Sequence, residues 1–144
     1  MRRLSLRLGC VVITFSALLA VSCEKGERLP ETGATLEGTV AYGSQQLEFA
    51  MILVQTANAS ATGRIGDDGR YRVENVPLGE VLIGVNTSAA RGDFQSKIMA
   101  QSQAKAKTQP KFIEVPAKYF DPEKSGLKTT ITKGANTYDI VIPK

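Results

Sequence analysis

The chain has 144 residues, 42% of them hydrophobic, with 18 Lys and Arg against 14 Asp and Glu and no His at all. Without imidazole there is no Ser-His-Asp or Cys-His nucleophilic system, no His-ligated zinc, and no use of the commonest general base. The two cysteines, Cys10 and Cys23, both lie near the N-terminus, so the remainder has no thiol for a disulfide, a redox pair or a nucleophile.

Arg2, Arg3 and Arg7 lead into an apolar run from Leu8 to Ala20. A positive flank and an apolar core too short to span a bilayer comfortably read as an export signal over 1–22. The run ends in Leu19-Ala20-Val21-Ser22-Cys23, which resembles a bacterial lipobox. That resemblance implies diacylglycerol on the Cys23 thiol and cleavage before it. The expected address is therefore a lipid anchor in the cell membrane or outer membrane, facing the periplasm or the cell surface. Two or three acyl chains, at roughly 0.8 kcal/mol per buried methylene, hold a protein there essentially permanently. Cys10 would leave with the signal. Removing Arg2, Arg3 and Arg7 also brings the 18 basic residues close to balance with the 14 acidic ones. The basic excess thus belongs mainly to the export signal, and a nucleic-acid partner, which needs a clustered basic surface, is not expected.

From Cys23 to Gly33 the chain reads as a lipidated cysteine followed by a polar tether, reaching at most about 30 Å at ~3.3 Å per residue. A single domain is expected over 34–144, since roughly 110 residues suffice for one core and not two. Leu36 to Tyr42 places Leu36, Gly38 and Val40 on one face. Phe49 to Gln55 is continuously apolar, as in a strand buried on both sides. Ala61 to Ile65 leads into the turn cluster Gly66-Asp67-Asp68-Gly69, after which Tyr71 and Val73 alternate with Arg70 and Arg72. Pro77-Leu78-Gly79 makes a corner before Val81, Ile83 and Val85. Lys128–Thr132 and Thr137–Ile142 flank Lys133-Gly134-Ala135-Asn136, read as a hairpin loop, with Tyr138, Ile140 and Ile142 inward. About seven short strands at regular spacing predict an all-β, Ig-like β-sandwich.

Thr87 to Gln109 breaks this rhythm, being long, polar and rich in Ala, Gln and Lys. A long loop or short helix is expected around 87–109, with Asp93 as cap and Phe94 and Ile98 on one side. The excursion is open to two readings, a solvated loop or a partner-contacting one.

The stretch from Asp67 to Val85, with Asp68-Gly69, Tyr71, Val73, Val76-Pro77 and Gly79, resembles that of carboxypeptidase regulatory-like domains, relatives of transthyretin. Gly38-Thr39-Val40 matches that family's opening strand, whereas Val81 stands where Tyr is common. The resemblance covers Leu36 to Val85 and implies a prealbumin-like sandwich of seven strands. The tail, from Val115-Pro116-Ala117-Lys118-Tyr119-Phe120-Asp121-Pro122 through Ser125-Gly126-Leu127 and then Gly134-Ala135-Asn136-Thr137-Tyr138-Asp139, is similar to the closing segment of small planctomycete-type lipoproteins. That implies fold and compartment, not an activity.

The tail also reads physically. Asp121 suits a helix cap, Pro122 the first helical position and Gly126 the exit. Val115 and Tyr119 are placed to press the excursion onto the sandwich; the other reading is a ligand or partner contact at Lys118 and Tyr119. Metallocarboxypeptidases need a zinc held by His and Glu, so only their accessory domain is echoed here. The carboxylates at Asp67 and Asp68, and at Asp121 and Glu123, fit turns better than a catalytic pair. Calcium at Gly66–Gly69 would need further oxygen ligands. No catalytic residue, metal ligand or cofactor is expected. The expected function is a non-catalytic interaction or structural module of the cell envelope, with an envelope protein or polysaccharide as partner. The alternative is a small-molecule or glycan binding protein.

Overall fold

A computed structural model describes residues 31–66, 68–104 and 110–144. The export signal expected over 1–22, Cys23, the expected tether up to Pro30, Asp67 and the end of the excursion at 105–109 lie outside the described residues.

The protein is all-β and sandwich-like, built on one curled sheet. Strand β1 (Ala34–Tyr42) is its spine. Next in the chain come β2 (Gln45–Gln46), β3 (Met51–Gln55), β4 (Ser60–Ile65), β5 (Arg70–Glu74) and β6 (Gly79–Asn86). Helix α1 (Arg91–Gln103) fills the excursion, and a short helix α2 (Pro122–Ser125) precedes β7 (Leu127–Ile131), β8 (Gly134–Thr137) and β9 (Ile140–Ile142). Neighbours run in the order β2-β1-β5-β4-β3-β6-β7, all antiparallel, while β8 and β9 both lie parallel to β1.

The period-2 patterns predict the inner face well. In β5, Tyr71 and Val73 are buried between exposed Arg70, Arg72 and Glu74. In β6, Val81, Ile83 and Val85 point inward; in β1, Leu36 and Val40 do. Ile52, Val54, Ile131, Ile140 and Ile142 complete the same core. Burying one such aliphatic side chain contributes about 1.5–3 kcal/mol, so a layer of this size can hold the domain without covalent staples. The unbroken apolar run before Gln55 also has a cause. Leu53, on the outer face of β3, pairs in register with Gly84, and the outer side of Gly84 is covered by the Phe120–Pro122 segment.

Two expectations change. The strands number nine among the described residues, against the seven expected. The closing segment is also not a hairpin: β7 pairs with β6, whereas β8 pairs with β1, from Ala34↔Gly134 to Glu37↔Thr137. Gly134, at φ +96, takes a backbone conformation that L side chains rarely adopt and sends the chain across the seam instead of back along β7.

Candidate functional site

The tail motif assembles around one crossing point. Between β8 and β9 the chain passes over Gly38 of β1, whose Cβ, if present, would collide with the Tyr138 carbonyl. The Tyr138 amide donates to the Glu37 carbonyl at 2.9 Å. The Tyr71 hydroxyl, from the core side, donates to the Tyr138 carbonyl at 2.6 Å. Asp139 Oδ1 then accepts from both the Thr39 amide and the Thr39 hydroxyl, each at 2.8 Å. These bonds, the backbone one first, hold the Asp139 carboxyl below its usual range, with Arg70 adding to the effect. Burial, then the nearby Asp139 and Tyr138, pushes the Tyr71 phenol above its usual range.

Asn136 stitches the seam between the two ends of the sheet. Its Oδ1 accepts from the Thr132 amide and hydroxyl, at 2.9 and 3.1 Å. Its Nδ2 donates to the carbonyls of Thr132, Gly134 and Thr35. One side chain therefore ties the end of β7 to β1.

The segment before β7 is a clasp over β6. Asp121 caps α2 by accepting from the Glu123 amide at 3.0 Å, Pro122 is the first helical residue, and Gly126 exits at φ +73, as the sequence predicts. The Lys124 ammonium, 2.9 Å away, is the first cause of the lowered Asp121 carboxyl; the Glu123 amide is the second. Ser125, nearly buried, donates to the Ile83 carbonyl at 2.6 Å. Of the two residues expected to contact a ligand or partner, Tyr119 is only 4% exposed and belongs to the core with Val115. Lys118 is exposed, with its ammonium 4.7 Å from the centre of the Tyr119 ring.

The third assembly lies where β6 hands over to α1. Asn86 Oδ1 accepts from the Ala89 amide, and buried Thr87 accepts from the Val115 amide at 3.3 Å, which pulls the two ends of the excursion together. Of the long loop or short helix expected, the helix is present and runs thirteen residues. Asp93 is not its cap; Ala90 occupies that place, and the Asp93 carboxylate accepts from Arg64 Nη1 at 2.7 and 2.8 Å. The reason is that the helix starts at Arg91, directly after a 3-10 turn over Ser88–Ala90, so Asp93 lies inside its first turn, where strand β4 brings a guanidinium within reach.

Phe94 and Ile98 do share the half-buried side of α1. The Phe94 ring meets Phe49 edge-on at 5.4 Å and Phe112 at 5.1 Å. Lys97 lies over Phe49 and Arg91 over Phe112, while Arg91 also reaches Glu114 at 3.3 Å. Beside this cluster opens a cleft of about 310 Å³, lined by Glu48, Phe49, Ile65, Ala90, Asp93 and Lys97 among others. The sequence places Phe49 only at the start of an apolar strand and gives no site role to Arg64 or Phe112. The available signal was an aromatic residue on either side of the excursion, since three of the five Phe residues gather here.

Among the described residues, no three His, Cys, Asp or Glu side chains converge in a set that could hold a metal ion. No protein-family model matches the chain. No curated protein matches it either.

Proposed function

We propose that this chain is a non-catalytic lipoprotein of the cell envelope, anchored through Cys23, whose carboxypeptidase regulatory-like sandwich presents a surface to an envelope protein or polysaccharide. The observation that carries the reading is the use of the aspartates. Each one described is bonded within the fold: Asp68 accepts from the Arg70 amide, Asp93 from Arg64, Asp121 from the Glu123 amide, and Asp139 from Thr39. In a chain without His, acid–base chemistry would fall first to carboxylates in contrasting environments. Here the described aspartates fasten turns and strands. The outer side of α1 is the contact surface this reading favours, because it carries Met99 at 66% exposure on a helix already fixed by its opposite side.

The test is photo-crosslinking in intact cells, with the crosslinker at position 99. The reading expects a discrete crosslinked species containing an envelope protein or polysaccharide. Recovery of uncrosslinked protein alone, from cells in which it is abundant and exported, contradicts it.

One observation favours the second reading, a small-molecule or glycan binding protein. The cleft beside α1 has the volume of a small ligand site and joins an aromatic ring to polar groups. Saturable binding of an envelope glycan, abolished by Phe49→Ala with the fold intact, would decide for it.

A further inference from the structure

The two ends of the sandwich are unlike, and the chain enters at only one of them. Thr32 is fastened there: its hydroxyl donates to the Val76 carbonyl at 2.8 Å and accepts from the Ala34 amide, while the Val76 amide donates to the Ala34 carbonyl. The same end holds the Val76–Gly79 turn and the β7–β8 connection, since Gly79 pairs with Ile131 and Ala34 with Gly134. At the tip of that turn Leu78 is 48% exposed, the large apolar side chain most accessible at this end among the described residues. Strand β1 then runs away from it, and β6, starting beside it, delivers the chain to α1 at the opposite end.

We infer that the Leu78 end rests on the bilayer surface, with Leu78 in contact with lipid, and that α1 faces away from the membrane. The inference rests on the proposed acylation of Cys23. The nine steps from Cys23 to Thr32, in any conformation, reach at most about 30 Å. The nine residues of β1 alone separate the two ends by about 26 Å at ~3.3 Å per residue, and α1 lies beyond. Laying α1 on the membrane would need the connecting chain drawn out to its limit along the whole height of the domain, whereas the Leu78 end is reached without extension. Charge does not set the orientation. At this end Glu74 is paired with Arg72 and Glu80 with Lys128, while Glu31 and Lys133 offset each other, so an anionic lipid surface gains nothing over a neutral one. The occupant is thus an uncharged lipid surface touched by an apolar side chain.

The test uses the full acylated protein in vesicles of zwitterionic lipid carrying a quencher at headgroup depth. Processing leaves no free thiol, so Lys133→Cys or Met99→Cys introduces a single site for a fluorophore. Quenching at least threefold stronger at 133 than at 99 is expected. Equal quenching, or stronger quenching at 99, overturns the orientation. Adding Leu78→Asp to the 133-labelled protein is expected to reduce its quenching at least twofold; unchanged quenching overturns the lipid contact of Leu78. Intact mass reports acylation of Cys23 separately. An unacylated protein defeats the anchoring proposal, whereas an acylated protein with the wrong quenching pattern defeats only this inference.

Discussion

At the crossing over β1, the Tyr138 carbonyl sits between the Tyr71 hydroxyl and Gly38, and each contact makes a separate prediction. Tyr71→Phe removes one partly buried bond and is expected to cost about 1–2 kcal/mol in urea unfolding. Because the folded state favours the neutral phenol, the wild-type contribution is complete below the ordinary tyrosine pKa near ~10 and is lost as pH rises above it. Tyr71→Phe should therefore blunt the alkaline loss of stability; an identical alkaline profile would count against this geometry. Gly38→Ala places a methyl against the carbonyl and is expected to reach or exceed the top of the about 1–3 kcal/mol range for overpacking.

Asp139 has the opposite sign. Its carboxylate is favoured in the folded state, so its contribution is complete above the ordinary carboxylate pKa near ~4 and disappears as pH falls through the lowered value. Asp139→Asn should be less stable than wild type at pH 7, with the gap closing at pH 3, as read from denaturant midpoints. A gap that widens in acid would contradict the assignment. None of this was legible in the sequence. Tyr71 read as a core residue of an alternating strand and Asp139 as part of a motif, and the partner that gives Asp139 its role, Thr39, lies a hundred residues away.

Among the elements, the strands with clean alternation were the legible ones. β5 and β6 follow the pattern of Tyr71, Val73, Val81, Ile83 and Val85 because one face of each meets the core and turn residues bound both ends. The last two strands were not legible as such. A run of Thr, Lys and Gly between two apolar stretches favours a hairpin locally, and nothing local discloses the parallel pairing with β1. The seam depends on Asn136, so Asn136→Ala is expected to cost about 2 kcal/mol and to accelerate amide exchange first in β7 and β8. Uniform acceleration across all strands would contradict its role as a seam. Helix α1 was legible as a possibility, and its fastening was not. Phe94→Ala removes both ring contacts and should free α1 to exchange while β1 and β5 stay protected. Loss of protection throughout would mean that the helix is part of the core.

The whole molecule joins a sandwich whose described aspartates serve its own turns and strands to a sequence that reads as an export signal ending in an acylated cysteine. The sandwich class follows from about 110 residues of short alternating strands without thiols or imidazoles; the proposed address follows from the first 23 residues. Between them they make contact at a membrane, instead of bond-making, the work expected of this chain. The proposed contact surface is less legible, because the residues fixing α1 come from β4, from the segment before β3 and from the segment beyond the excursion. The most direct test is the intact mass and N-terminal peptide of the protein recovered from the membrane fraction of its own cells. The account predicts a chain beginning at Cys23 and carrying diacylglycerol. A chain that retains residues 1–22, or one that begins elsewhere without lipid, would contradict it.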